Sequence, residues 1–233
     1  MAIIATPSLP PRLYRYRSIT RDDDALEQEL AAITEGYIWC SDFTKLNDPM
    51  EGSYNPTTVL KGKRDYKRIV EAILNQKVNV GIAAFSEVKH SDLMWTHYTD
   101  NHCGICVCYR AQRMFDRLPK NVHFVRVGYS DAPPLISSKE AQKQASATRK
   151  IFSQKKVGWQ YEREWRVLAE KGKVILKDPN CIWAVYMGTR INPIHKRKII
   201  ATLKPLKMKL YEMRVQQYEH KAKRLLFKPM ATS

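Results

Sequence analysis

The sequence predicts an α+β domain whose sheet has about six to eight strands, and three observations carry that reading. Short runs of β-branched and aromatic residues recur along all 233 residues, each the length of a strand. Helical periodicity falls in separate segments between them, as segregated helices require. No Gly-rich strand-to-helix loop is present, which argues against a Rossmann or P-loop nucleotide site. With 44% hydrophobic residues the chain has enough apolar surface for one core, so a leader over residues 1–12 and a single domain over 13–233 are expected.

In chain order, the leader contains Pro7, Pro10 and Pro11. A first strand over 13–18 places Tyr14 and Tyr16 on one face and Arg15 and Arg17 on the other. Thr20 is placed to cap a helix whose first turn holds Asp22, Asp23 and Asp24, where the helix dipole favours negative charge. Its apolar stripe, Leu26, Leu30 and Ile33, ends before Gly36. A second strand over 37–41 runs into Asn47-Asp48-Pro49-Met50-Glu51-Gly52, a turn by its chemistry. A helix over 63–76 precedes an apolar strand over 78–86, and strands are predicted again at 105–109 and 122–129, with a short helix near 112–118 between them. The stretch 138–156 reads as a surface helix exposing Lys143, Arg149, Lys150, Lys155 and Lys156. Residues 159–168 read as a strand, so Glu162, Glu164 and Arg166 share a face while Trp159, Tyr161 and Trp165 back it. Two strands, 174–176 and a central apolar one at 181–187, lead to a helix capped by Asn192 with Pro193 in its first turn. A strand over 208–215 and a basic segment end the chain.

The formal net charge is +17, and its distribution is uneven. Residues 1–138 hold 17 basic and 16 acidic side chains, whereas 139–233 hold 23 and 7, a net of +16. Such a field attracts polyanions, nucleic acid above all. No run of eighteen apolar residues and no convincing amphipathic helix argue for a membrane, so a cytoplasmic protein is expected, and its five cysteines read as reduced thiols. Cys103, Cys106 and Cys108 lack a second pair at zinc-site spacing, so no metal is expected. Glu51, Glu87, His97 and His102 are candidate acid-base groups for a hydrolase, without a recognised metal spacing.

Four motifs stand in order: Leu-Tyr-Arg-Tyr-Arg at 13–17, Leu-Asn-Asp-Pro-Met-Glu at 46–51, Phe-Ser-Glu through Asn-His-Cys-Gly at 85–104, and Trp-Gln-Tyr-Glu-Arg-Glu-Trp-Arg at 159–166. In that order they resemble the bacterial domain-of-unknown-function family 2971. A weaker resemblance is to the ADP-ribosyltransferase superfamily, which implies a split, mostly antiparallel sheet with segregated helices. It also implies that Arg15 or Arg17, with Tyr16, holds NAD on the first strand, that Ser41 ends a strand, and that Tyr98 or Trp95 stacks on nicotinamide. Glu164 is then the catalytic carboxylate and Glu162 contacts the acceptor. The function expected on this basis is NAD-dependent ADP-ribosylation of a polyanion, with nucleic acid as the leading acceptor and a toxin or phage-defence role, which brings a neutralising protein partner. The alternative is a nucleic-acid-binding protein or nuclease without NAD chemistry.

Overall fold

The computed structural model describes residues 8–22 and 24–226. Residues 1–7 of the expected leader, Asp23, and the end of the basic segment, 227–233, lie outside them. The strands are β1 Arg12–Arg17, β2 Tyr37–Asp42, β3 Asn55–Pro56, β4 Val80–Ser86, β5 Ile105–Arg110, β6 His123–Arg126, β7 Gly128–Tyr129, β8 Leu135–Ile136, β9 Gln154–Lys155, β10 Glu164–Glu170, β11 Gly172–Ile175, β12 Ile182–Met187, β13 Lys209–Gln216 and β14 Glu219–Arg224. The helices are α1 Ala25–Glu35, α2 Thr58–Lys61, α3 Tyr66–Asn79, α4 Asp92–Tyr98, α5 Ala111–Arg117, α6 Ser138–Ala141, α7 Gln144–Ile151 and α8 Pro193–Leu203. The class is α+β, with mixed, mostly antiparallel pairing.

The chain divides into two compact units, one of residues 1–36, 87–117 and 177–233, the other of residues 37–86 and 118–176. In the first, β1 pairs antiparallel with β5, β5 with β12, β12 parallel with β13, and β13 antiparallel with β14. The apolar run of β12 is therefore paired on both sides, as its composition requires. Both faces of these strands carry buried residues, Leu13 and Val107 on one and Cys106 and Tyr186 on the other, and Leu30 and Ile33 of α1 with Ile199 and Leu203 of α8 are buried in the same unit. The Asn192 side chain accepts from Ile194 N at 2.8 Å, so α8 is capped as its sequence announces. Thr20 is not the cap of α1: Asp24 occupies that position, and the Thr20 hydroxyl donates to Asp100 instead.

In the second unit β11, β2, β4, β10 and β6 form an antiparallel series, with two short parallel pairs, β3–β8 and β7–β9. Ile82 and Leu168 from the strands meet Ile73 of α3 and Ala147, Ile151 and Phe152 from α7 and its end in one apolar cluster. That cluster explains why the surface helix expected over 138–156 is broken. Lys143 leaves helical geometry (φ −113°, ψ 84°), which lets Ala141 of α6 and Ala147 of α7 both reach the core. The expected strand over 122–129 also divides: Val127 N–H donates to Glu164 O at 2.9 Å in the register of the β6–β10 ladder, but Glu164 N–H does not return the bond and donates to the Tyr129 hydroxyl. The basic excess follows the units rather than the sequence. The first holds 21 basic and 13 acidic side chains and the second 19 and 10, so residues 139–233 contribute positive charge to both.

Candidate functional site

The strand expected over 159–168 begins only at Glu164. Val157–Glu162 is a 3-10 helix and Arg163 takes the left-handed conformation (φ 45°). The cause is the partner strand: β4 ends at Ser86, which pairs with Glu164, so the residues before Glu164 have no ladder to join. The buried Ser86 hydroxyl instead donates to the Glu162 carbonyl at 2.5 Å. From Glu164 onward the period of two holds, and Glu164, Arg166 and Leu168 share a face. Glu162 reaches that neighbourhood through the left-handed step at Arg163, not through strand alternation.

Five charged side chains meet there. Lys155, held in β9, lies 2.7 Å from Glu162 and 3.4 Å from Glu164, with its ammonium 4.6 Å from the centre of the Trp159 ring. Helical periodicity places Lys155 on an exposed face, but it is buried, because two carboxylates are buried with it. The Arg166 guanidinium donates to both oxygens of Glu164 at 2.7 and 3.0 Å, to both of Glu51 at 2.7 and 2.8 Å, and to the Phe152 carbonyl at 2.9 Å. Glu51 is presented by the Asn-Asp-Pro turn, in which Asp48 accepts from Met50 N at 2.9 Å. The Glu164 N–H donates to the Tyr129 hydroxyl at 2.8 Å.

Glu162 and Glu164 are 2% and 3% exposed. Burial pushes the Glu164 carboxyl up, but the charges of Arg166 and Lys155 and hydrogen bonds from Arg166 and the Glu162 carboxyl outweigh it, so its pKa lies below the ordinary value. Three acids, Glu51, Glu162 and Glu164, thus meet two cations, Lys155 and Arg166, in one cluster. Arg166, Lys155 and Ser86 are absent from the residues predicted for the site. The signal for Arg166 is its place two residues after Glu164 on one strand face.

The remaining predicted residues divide by unit: Arg15, Tyr16, Arg17, Trp95 and Tyr98 belong to the first, and Ser41 to the second. Ser41 pairs with Ile82 in the β2–β4 ladder, so Ser86 and not Ser41 is the serine in register with Glu164. Arg17 is committed to Glu29, with Nε 2.6 Å from Oε1, and Arg15 is buried. Tyr16 donates to the Val88 carbonyl at 2.8 Å and meets Trp95 edge-on, with centroids 5.3 Å apart. Trp95 is 0% exposed, donates to the Lys89 carbonyl at 3.0 Å and stacks on His102, which stacks on His220. It is a core ring held on its face and its edge, whereas Tyr98, at the end of α4, is half-buried. Asp100, Asn101 and His102 all have positive φ, and this left-handed turn is locked from two sides. Gly104 N donates to Thr99 O at 2.7 Å, and Arg190 N donates to His102 O at 3.1 Å.

Among the described residues, no group of three or more His, Cys, Asp or Glu side chains is disposed to hold a metal ion, and no disulfide joins the five cysteines. No helix there is long and apolar enough to cross a membrane. A family model described as "Protein of unknown function (DUF2971)" matches residues 94–167, a stretch that contains Trp95, Tyr98, Glu162 and Glu164. No curated protein and no solved structure matches the chain.

Proposed function

We propose that the chain transfers ADP-ribose from NAD to a polyanionic acceptor, nucleic acid in the first instance, with Glu164 as the catalytic carboxylate and Glu162 as its partner. The observation that carries the reading is the meeting of both acids at the head of β10, with Glu164 in register with Ser86 at the end of β4. Breaking the nicotinamide–ribose bond sends the electron pair to nicotinamide and leaves positive charge on the ribose carbon. An anion held ionised by Arg166 and Lys155 is suited to that charge. Glu162 takes the proton of the attacking acceptor group. The net charge of +17 favours an acceptor rich in phosphate. Because both carboxyls are nearly closed to solvent, the reading requires the turn Val157–Glu162 to move aside when substrates enter.

The test is transfer of label from labelled NAD to DNA, RNA or lysate components by the purified protein. Transfer that is lost in Glu164→Gln, with the variant still folded at the assay temperature by circular dichroism, is the expected result. No transfer and no NAD consumption with any acceptor overturns the proposal.

A second reading, a nucleic-acid-binding protein without NAD chemistry, is favoured by one observation: both carboxyls are already paired in a buried network that a purely structural role would also explain. It expects salt-steep DNA or RNA binding that neither NAD nor Glu164→Gln alters.

A further inference from the structure

The two faces of the first unit's sheet are finished differently. Arg17 of β1 and Glu212 of β13 point to one face, where Arg17 is bonded to Glu29 of α1 and Glu212 to Lys196 of α8. The other face carries Arg12, Tyr14 and Tyr16 of β1, Tyr186 of β12, and Lys209 and Tyr211 of β13. A bulge between Ile182 and Ala184 adds Trp183 to it, and its ring stacks on that of Tyr211. Trp95 of α4 packs on the Tyr16 end of this face. Towards the other end Tyr14, Trp183 and Tyr211 stay half-buried, so part of each ring meets solvent.

The rings form one row, with centroids 6.4 Å apart from Tyr14 to Tyr186, 4.8 Å from Tyr186 to Tyr211 and 5.9 Å from Tyr211 to Trp183. Three cations are seated on it. Arg12 and Lys209 lie 5.1 and 4.8 Å from the centre of the Trp183 ring, and Lys89 lies 5.4 Å from that of Tyr186. A fourth, Arg110, stands directly opposite Arg12 across β1 and β5 and donates to the carbonyls of Asn180 and Ile182 at 2.5 and 3.1 Å. Like charges so placed repel one another. Other cations of this unit are neutralised, Arg17 by Glu29, Arg113 by Asp178 and Lys196 by Glu212. Among the described residues, none of Arg12, Lys89, Arg110 and Lys209 has a carboxylate within ion-pair distance. Aromatic rings hold these cations in place without cancelling their charge, which leaves it for an anion from outside.

We infer that this face binds single-stranded nucleic acid, with phosphates on Arg12, Lys89, Arg110 and Lys209 and bases against the open parts of Tyr14, Trp183 and Tyr211. Cations interleaved with aromatic rings suit a strand whose bases are unpaired, whereas a duplex or an acidic peptide leaves the rings unused. The inference rests on the nucleic-acid partner of both functional readings and on no NAD chemistry.

The experiment is fluorescence anisotropy of labelled single-stranded DNA and RNA oligomers of about twelve nucleotides with the full chain, without NAD and at several salt concentrations. At least one oligomer is expected to bind saturably. The double variant Arg12→Gln, Lys209→Gln is expected to bind at least tenfold more weakly and to lower the slope of log affinity against log salt by about 1.4. Tyr211→Leu is expected to cost about tenfold. Lys143→Gln with Arg149→Gln, on exposed positions of α7 in the second unit, makes the same change in net charge and is expected to stay within about twofold of the parent. Ultraviolet crosslinking of the unaltered protein to a bromouracil-substituted oligomer is expected to mark Tyr14, Trp183 or Tyr211, a readout that no variant's folding can confuse. No binding of any oligomer overturns the inference. So do equal losses in the two double variants, crosslinks confined to the second unit, or a duplex or polyglutamate bound as tightly as the best single strand. Glu164→Gln is expected to bind like the parent, so a failure of label transfer from NAD leaves this result standing.

Discussion

Replacing Arg166 by Met removes the centre of the charged cluster while keeping an unbranched apolar stem in its place. The wild-type guanidinium is fully buried and makes five hydrogen bonds: two to Glu164, two to Glu51 and one to the Phe152 carbonyl. The variant leaves two carboxylates facing one another in a poorly solvated space with Lys155 as the remaining cation of the cluster. Deleting one partner of a buried ion pair costs about 3–5 kcal/mol, and a guanidinium that serves two carboxylates belongs at the top of that range. Against a domain stability of about 5–15 kcal/mol this is a large fraction. Urea denaturation at pH 7 reads it as a fall in midpoint at constant slope. The pH dependence supplies a second check. The Glu164 pKa is held below its ordinary value, so its contribution to stability is present above about pH 4.3 and is lost as the pH falls through the folded-state value. In the variant that depression is relieved, so the two proteins converge in acid. A loss under about 1 kcal/mol at pH 7, or a gap that stays constant down to acid unfolding, refutes the assigned energetics.

Three further outcomes are expected. A Cβ added at Gly188 falls far inside van der Waals contact with the His102 carbonyl oxygen, and backbone cannot step back as a side chain can, so Gly188→Ala is expected to cost about 3 kcal/mol. Gly158 has no atom within 4 Å of a built Cβ, and Gly158→Ala is the matched control, within about 0.5 kcal/mol of wild type; equal melting temperatures for the two variants would contradict the clash. Hydrogen bonds from Lys150, from Ser137 N–H and from the Ser137 hydroxyl hold the Glu140 carboxyl down to about 2. Its stabilising effect is therefore present above the ordinary glutamate value and fades as the pH falls towards 2. Carboxyl chemical shifts followed by NMR are expected to show that value climbing in Lys150→Met, and an unmoved titration contradicts it. Asn192→Ala removes the cap of α8 and is expected to cost about 1 kcal/mol in urea denaturation, whereas a neutral result would mean that the cap bond is not formed.

The elements most legible in the sequence are those whose cause is local. The run Ile182–Met187 is apolar because it is paired on both sides, and Asn192-Pro193 starts a helix by its own chemistry. What sequence pattern misses has a non-local cause. Residues 159–162 alternate like a strand, yet they curl into a 3-10 turn because the neighbouring strand stops at Ser86, a limit set 76 residues earlier in the chain. Lys155 carries the composition of a surface helix and is buried only because Glu162 and Glu164 arrive beside it. The helical pattern of 138–156 gives no hint that Lys143 breaks it, since the break serves the packing of Ala141 and Ala147. In the candidate site, Glu162 and Glu164 are readable as a pair. The rest of the charged cluster is less so, because Glu51 comes from a turn 111 positions before Glu162.

The division of the chain also fixes an order of completion during synthesis. The second unit is made of residues 37–86 and 118–176, and every strand of its antiparallel series is synthesised before β12 begins. The first unit has β1 and α1 at its start but lacks β12, β13 and α8 until the last quarter of the chain appears. Until then β5 shows the bare edge that β12 later covers, a row of open backbone groups on a strand as apolar as Ile105-Cys106-Val107-Cys108-Tyr109. A polypeptide stopped near residue 176 therefore presents one finished body beside an adhesive, half-built one. Such nascent chains are expected to be chaperone clients, and C-terminal truncations to fail by aggregation rather than by loss of the second unit.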